Sequence, residues 1–415
     1  MEETPSKKFY KHFFYFLLGQ EFSLLGSSIV SFVIGWWIAD VLKNPIFLSL
    51  GSFLYILPQI FIAPIAGVLS DRLNRKTIII LIDSTQAFVT FSLFLLFSFN
   101  ITNIWIILSV NTIRSVLQAF HVPTFNAIIP SMVPKDRLNR INGINNLFTS
   151  LIYMVGPIFA GFLYEIFPIE QIFMIDIITF VSALIPLLFI SIPSVTLDKK
   201  EARDTTFFKE FKIGLKTVKT IPGLLSLIIF AMLINFIWRP FNDLMPYFIN
   251  TVHNGTALNL AFVTVFMPIA NIIGSIINAF KKRWKHKAFI IMFGTLVMFM
   301  GYSFLIIAPR GFFLLMGIGL FIQGMAFNFV ITNYATLLQG SVPSDKVGRI
   351  VSLDHSLTFA IIPIASLIGG PLALLIGIYN LYLLSVILGI ATTILIWLFT
   401  DIHKLDHIGK AEILP

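Results

Sequence analysis

Cysteine is absent from the 415 residues, which excludes disulfide frameworks, thiolate metal sites and cysteine nucleophiles together. Charge is scarce: Asp, Glu, Lys and Arg make up 12% of the chain, about half of what a soluble domain carries. Long polar stretches are missing too. The longest, 193–222, is too short to hold a core, so there is no aqueous domain that could be an ATPase for primary active transport. His-Glu-x-x-His, Gly-x-Ser-x-Gly and Walker-type loops do not occur, and the seven His are scattered. The chain is therefore not expected to be an enzyme, nor to need a metal or a cofactor. What is present is apolar: 57% hydrophobic residues, 44 Phe and a mean hydropathy of +0.90. Such a chain has to face lipid.

Stretches long enough to cross a bilayer core, about 20 residues each, fall at approximately 13–39, 46–69, 77–99, 103–127, 142–165 and 169–192. A second set falls at 223–250, 258–280, 288–308, 311–335, 351–377 and 379–400. Twelve spans put both termini on one side. The first span follows Lys7, Lys8 and Lys11 but is far longer than a signal-peptide core, and reads as a retained helix. With the termini inside, all but four of the 29 Lys and Arg lie in inward segments; the exceptions are Lys43, Arg114, Arg239 and Arg310. This asymmetry predicts a multi-pass cytoplasmic-membrane protein with both termini cytoplasmic. The net charge of +9 is then topology, and no nucleic-acid partner is implied.

The chain repeats itself. Val133-Pro134-Lys135-Asp136-Arg137-Leu138-Asn139-Arg140-Ile141 after span four matches Val342-Pro343-Ser344-Asp345-Lys346-Val347-Gly348-Arg349-Ile350 after span ten, at an offset of 209. Gly67 to Asp71 before Arg75-Lys76 matches Gly274 to Asn278 before Lys281-Lys282-Arg283, at an offset of 207. An even number of spans separates the copies, so the repeat is parallel. The expected fold is an all-α integral membrane protein of twelve transmembrane helices in two parallel-related six-helix bundles, 1–192 and 223–415. Two such halves can rock about a site between them, giving alternating access. The connector, 193–222, carries Phe207, Phe211, Leu215 and Val218 on one helical face and Lys209, Lys212, Lys216 and Lys219 on another. That pattern predicts a cytoplasmic linker with a basic amphipathic helix on the inner leaflet.

At these residues the chain resembles a major facilitator superfamily transporter. The family's loop motif, Gly-x-x-x-Asp-Arg-x-Gly-Arg-Arg/Lys, is met by Gly67, Asp71, Arg72, Arg75 and Lys76, with Asn74 replacing a Gly. Asn tolerates a left-handed turn, so the departure is mild. Arg114 and Gln118 match the span-four motif, with Ala119 in place of Gly, and Gly156, Pro157 and Gly161 match the antiporter-type packing motif of span five. Gly19-Gln20, Ser23, Gly26, Asp83, His121-Val122-Pro123 and Ile175-Asp176 resemble the drug:proton antiporter branch that includes macrolide-efflux and enterobactin-export proteins. The resemblance implies proton-driven efflux, of the kind that gives drug resistance, by a monomer.

Ionisable residues inside spans are costly, so each is a candidate site. Glu21, Asp83, Arg114 and Asp176 are the proton-coupling candidates. Glu21 and Arg114 both fall near mid-depth at 1.5 Å per residue, and in the superfamily fold spans one and four line the cavity, so the two could meet. Glu21 is then either a proton carrier or half of a static ion pair. The resemblance places Asp83 and Asp176 on peripheral spans, where pairing with a neighbouring helix competes with a coupling role. Asp71 among Arg72, Arg75 and Lys76 reads as a conformational latch. By the repeat offset, Arg114 corresponds to Gln323, Asp71 to Asn278 and Asp176 to Ser385, so the first half's buried charges become neutral in the second. Arg239 and Asp243, four apart on one helix face, form an outer gate or a local ion pair. Trp36, Trp37, Gln118, His121, Asn235, Trp238, Asn242, Gln323, Asn328 and Tyr334 could line a cavity for a small amphipathic organic substrate, although any Trp could instead face lipid or headgroups. The expected function is proton-coupled efflux of hydrophobic or amphipathic small molecules. The alternative is an exporter or flippase of one endogenous compound, such as a siderophore or lipid-linked molecule.

Overall fold

The structure, a computed structural model, describes residues 7–193, 207–281, 284–344 and 346–406. Regular structure among them is entirely helical. The first six long helices are α1 (Lys7–Trp37), α2 (Pro45–Arg72), α3 (Arg75–Ser98), α4 (Ile104–Met132), α5 (Leu138–Ile166) and α6 (Ile169–Phe189). After α7 (Phe207–Thr220) come α8 (Leu224–Asp243), α9 (Met245–Thr251), α10 (Ala257–Thr264), α11 (Phe266–Phe280), α12 (Lys287–Ile307), α13 (Phe313–Gly340), α14 (Val347–Ile376) and α15 (Ile378–Phe399). Eleven helical segments among the described residues are long and apolar enough to cross a membrane. The twelfth crossing of the pattern is α4, which has the length but breaks its apolar run with Asn111, Arg114, Gln118 and His121.

Two of the expected spans are broken. The seventh divides into α8 and α9 and the eighth into α10 and α11. Pro246 and Pro268 follow the two breaks; each lacks the N–H that would close a bond to the carbonyl four residues back. Capping fixes the starts of other helices. The side-chain oxygens of Asn44, Asn74 and Asn103 accept from the backbone N–H of Ile46 (2.9 Å), Thr77 (3.2 Å) and Trp105 (2.9 Å). Asn74 therefore does not make the left-handed turn expected of the motif's Gly. Its φ is −68°, and it serves as the N-cap of α3. Asn74→Ala should accordingly cost about 1 kcal/mol, and Asn74→Gly only a few tenths, as measured by thermal unfolding in detergent.

The chain divides into two compact units, 1–201 with 255–261, and 202–254 with 262–415. In the first, α1 packs on α5 and α6, α2 on α4, and α3 on α4 and α6. In the second, α8 packs on α14 and α15, α11 on α13, and α12 on α13 and α15. Helix by helix these are the same five pairings, so the sequence repeat is also a repeat of architecture. Phe13, Phe16, Leu17, Ile79, Ile128, Met132 and Leu187 form one core cluster of the first unit. Leu224, Leu227, Ile291, Leu338, Ile350 and Leu353 belong to a cluster in the second.

The amphipathic helix α7 behaves differently from the expectation of a lipid-facing helix. Val218 is fully buried in the second unit's core, Leu215 packs against it, and Gly214 approaches Leu353 of α14. This part of the apolar face is covered by protein, which leaves the inner leaflet nothing apolar to take there. Lys212, Lys216 and Lys219 point outward. The side chains of Phe207, Lys209 and Phe211 lie outside the described residues.

Candidate functional site

The polar residues of the first unit form two layers. Gln20 and Ser27 on α1, Asp83 and Thr90 on α3, and Arg114 and His121 on α4 are each seven residues apart, two helical turns or about 10.5 Å. Each pair therefore lies on one face of its helix. α4 runs antiparallel to α1 and α3, so Arg114 sits level with Ser27 and Thr90, and His121 with Gln20 and Asp83.

The first layer centres on Asp176 of α6, which is fully buried. Its carboxylate accepts from Ser27 Oγ (3.3 Å), Thr90 Oγ1 (2.9 Å) and Arg114 Nη2 (3.1 Å). Four helices thus meet on one carboxylate. Arg114 is itself buried, with Nε and Nη1 lacking an acceptor, so Asp176 is its counter-ion. Gly26 makes room for this meeting: a Cβ there would lie 2.8 Å from Asp176 Oδ1 and 3.0 Å from its Cα.

The second layer centres on Asp83, which is 1% exposed. Gln20 Nε2 donates to Asp83 Oδ2 (2.9 Å), and Gln20 Oε1 lies 2.7 Å from His121 Nε2. His121 Nε2 is also 3.5 Å from Asp83 Oδ1, and that oxygen is buried without a hydrogen bond.

These positions correct one expectation: Arg114 meets Asp176 and not Glu21. Asp83 and Asp176 are both buried, and each bonds to neighbouring helices, the pairing that competes with a coupling role. Glu21 is buried but turned toward Thr149 of α5, about 100° around α1 from Gln20, and Oε2 has no hydrogen bond.

Of the loop motif, Arg75 donates to the backbone carbonyls of Ser70 (3.1 Å) and Ala127 (2.8 Å), and Lys76 to those of Leu188 (3.0 Å) and Ile190 (2.7 Å). Both cations meet helix C-terminal ends, where the backbone dipoles favour positive charge. Arg72 is exposed, and Gly67 has open space beside it. The Asp71 side chain lies outside the described residues. In the packing motif, Gly156 meets Ser28 of α1, and Gly161 meets Ala257 and Ala261, which belong to the first unit. Trp36 and Trp37 are buried, Trp37 edge-on to Phe97, while Gln118 is half-buried.

In the second unit, Arg239 and Asp243 form the ion pair their spacing predicts, at 2.8 Å, and Arg239 Nε also donates to Ser366 (3.0 Å). The Trp238 indole donates to the Tyr302 hydroxyl. Asn328 is engaged with α11, donating to Ser275 Oγ (2.9 Å) and accepting from Asn278 (2.8 Å). Gln323 is fully buried, and neither amide atom is hydrogen-bonded. Asn235 is half-buried and Asn242 exposed. Tyr334 donates to Asp354 of α14, a buried carboxylate that is not among the candidates read from the sequence. Its repeat counterpart at an offset of 209 is Asn145, so here the second half holds a charge that the first half lacks.

Two units with the same five helix pairings, helices of membrane-crossing length and acidic and basic groups buried inside them are the build expected of a polytopic membrane transporter. The sequence pattern of the Major Facilitator Superfamily matches residues 16–359, and the chain belongs to that superfamily. It is similar to Macrolide efflux protein A of Streptococcus pyogenes, 28% identical over 390 residues, covering 94% of this chain and 96% of that protein. It is also similar to the staphyloferrin A transporter of Staphylococcus aureus, 20% identical over 391 residues, covering 94% and 96%. Its fold matches the crystal structure of a bacterial homologue of the iron transporter ferroportin in an inward-facing state (TM-score 0.70, 13% identity, 96% and 99% covered). It likewise matches the nucleoside transporter NupG (TM-score 0.65, 14% identity, 92% and 98% covered).

Proposed function

We propose that this transporter exports hydrophobic or amphipathic small molecules in exchange for protons, by alternating access. The observation that carries the reading is the pair of polar layers buried in the first unit. A buried carboxylate without a full set of donors is costly unless it can be protonated, and Asp83 and Glu21 each have an oxygen in that condition. Arg114 and Asp176 neutralise each other and hold the bundle together. The full-length likeness to macrolide efflux proteins supports an amphipathic substrate and the outward direction. The distribution of basic residues supports cytoplasmic termini and a cytoplasmic position for the loop motif. A second reading, export of one endogenous compound, is favoured by the likeness to a siderophore transporter.

Everted membrane vesicles test the proposal. With a macrolide, a panel of lipophilic drugs and a ferric siderophore as probes, acidifying the lumen should drive accumulation of at least one amphipathic compound. Nigericin, which collapses the pH gradient, should abolish it. Accumulation indifferent to the gradient would overturn proton coupling, and accumulation of the siderophore alone would favour the second reading.

A further inference from the structure

The Asp83 layer differs from the Asp176 layer in one respect that bears on proton traffic. Asp176 receives three donors, a guanidinium among them, and its layer is electrically neutral as it stands. Asp83 receives one amide donor, and Oδ1 is buried and open. The Gln20 amide fixes the rest. Its NH2 group faces the carboxylate, so its oxygen faces His121 and can only accept. His121 Nε2 therefore carries a hydrogen, and this N–H is the donor nearest Asp83 Oδ1, at 3.5 Å. The imidazole is 16% exposed where Asp83 is 1%, which makes it the part of the layer open to its surroundings.

From this arrangement we infer that Asp83, His121 and Gln20 form the proton-holding site of the transporter, with Asp83 Oδ1 as the resting place of the proton and His121 as the relay that delivers it. The inference rests on the proton-coupled reading above and narrows it to one of the candidate carboxylates. Delivery balances simply. His121 accepts a proton at Nδ1, becoming imidazolium, and passes its Nε2 proton to Asp83 Oδ1. A neutral imidazole protonated at Nδ1 and a neutral carboxylic acid remain. Gln20 then stands between two neutral groups, and its amide can turn so that Nε2 donates to the vacated His121 Nε2.

Among the described residues, the groups facing Asp83 leave it no other neutralising partner. From α4 they are His121 and, two turns away, Arg114, whose charge is already matched by Asp176 on α6. From α1 the facing residue is Gln20, with Glu21 turned to α5. An empty site is therefore one uncompensated negative charge inside the bundle, a state that favours opening and hydration, whereas a loaded site is neutral and favours the packed bundle. That difference couples proton occupancy to helix packing.

Infrared difference spectroscopy of the full-length protein in lipid, between low and high pH, tests the site without any substrate. Asp83→Asn should remove the C=O band of a titrating buried carboxylic acid, whereas Glu21→Gln should leave it. His121→Ala should keep the band but slow its response to a pH jump by roughly 10²-fold, the scale of a lost proton-transfer group, and imidazole buffer should restore the rate. Carboxylic-acid bands unchanged by Asp83→Asn, or a response unaltered in His121→Ala, overturn the site. Gradient-driven transport in the same preparations separates the two ideas. Transport without an Asp83 band sinks this inference alone, and an Asp83 band without gradient-driven transport sinks the proton-coupled reading, leaving Asp83 and His121 a protonation site with no coupling role.

Discussion

Replacing Asp176 with Ala is expected to destabilise the protein by about 3–5 kcal/mol, because it leaves the Arg114 guanidinium buried without a counter-ion. The carboxylate also ends the hydrogen bonds of Ser27 and Thr90, so α1, α3, α4 and α6 lose their common anchor. The cost belongs to the stranded charge more than to the lost contact. Arg114→Gln in the same chain should therefore recover most of the stability, since the repeat counterparts Gln323 and Ser385 are neutral and both buried. Thermal unfolding of the single variants and of the double variant in detergent checks this. A double variant as unstable as the sum of the singles would mean that the pair is not coupled.

Gly26→Val should be nearly as damaging, at more than about 3 kcal/mol, the upper end of the overpacking range. Even the first carbon of a side chain at Gly26 would collide with Thr179 and press on Asp176, so the substitution drives α1 from α6 and disturbs the ion pair too. Gly35→Val on the same helix is the control, because a Cβ there meets nothing within 4 Å. The expected readout is loss of folded, monodisperse protein for Gly26→Val and near-normal unfolding for Gly35→Val. Equal effects at both positions would show that helix propensity, not the close approach, decides the outcome.

Much of this fold is legible in the sequence because membrane insertion leaves coarse marks. Length of apolar run, placement of Lys and Arg and the repeated loop are all visible in the sequence, and the two units do share one set of helix pairings. The partners of the buried charges were harder to read. Pairing Arg114 with Glu21 rests on depth and on the spans that the resemblance sets at the cavity, and neither says which way a side chain points around its helix. The decisive signal was available as spacing. Gln20 and Ser27, Asp83 and Thr90, and Arg114 and His121 are all seven apart, which puts two polar residues on one face of each of three helices. Asp354 lies inside the expected span 351–377, but a comparison that starts from the charges of the first half does not reach it, because its counterpart there is the neutral Asn145. The breaks between α8 and α9 and between α10 and α11 fall before prolines that are visible in the sequence. A continuous apolar run masks a local break, since lipid rewards apolarity whether or not the backbone is continuous.

On the proposed function, a proton held in the first unit is exchanged for substrate. Proteoliposomes with a pH dye inside, given an erythromycin gradient and no initial pH gradient, test it most directly. The predicted result is proton movement opposite to macrolide movement, abolished in Asp83→Asn and retained in Lys216→Gln, an exposed cation of α7. Macrolide movement with no pH change in the wild-type protein would contradict it.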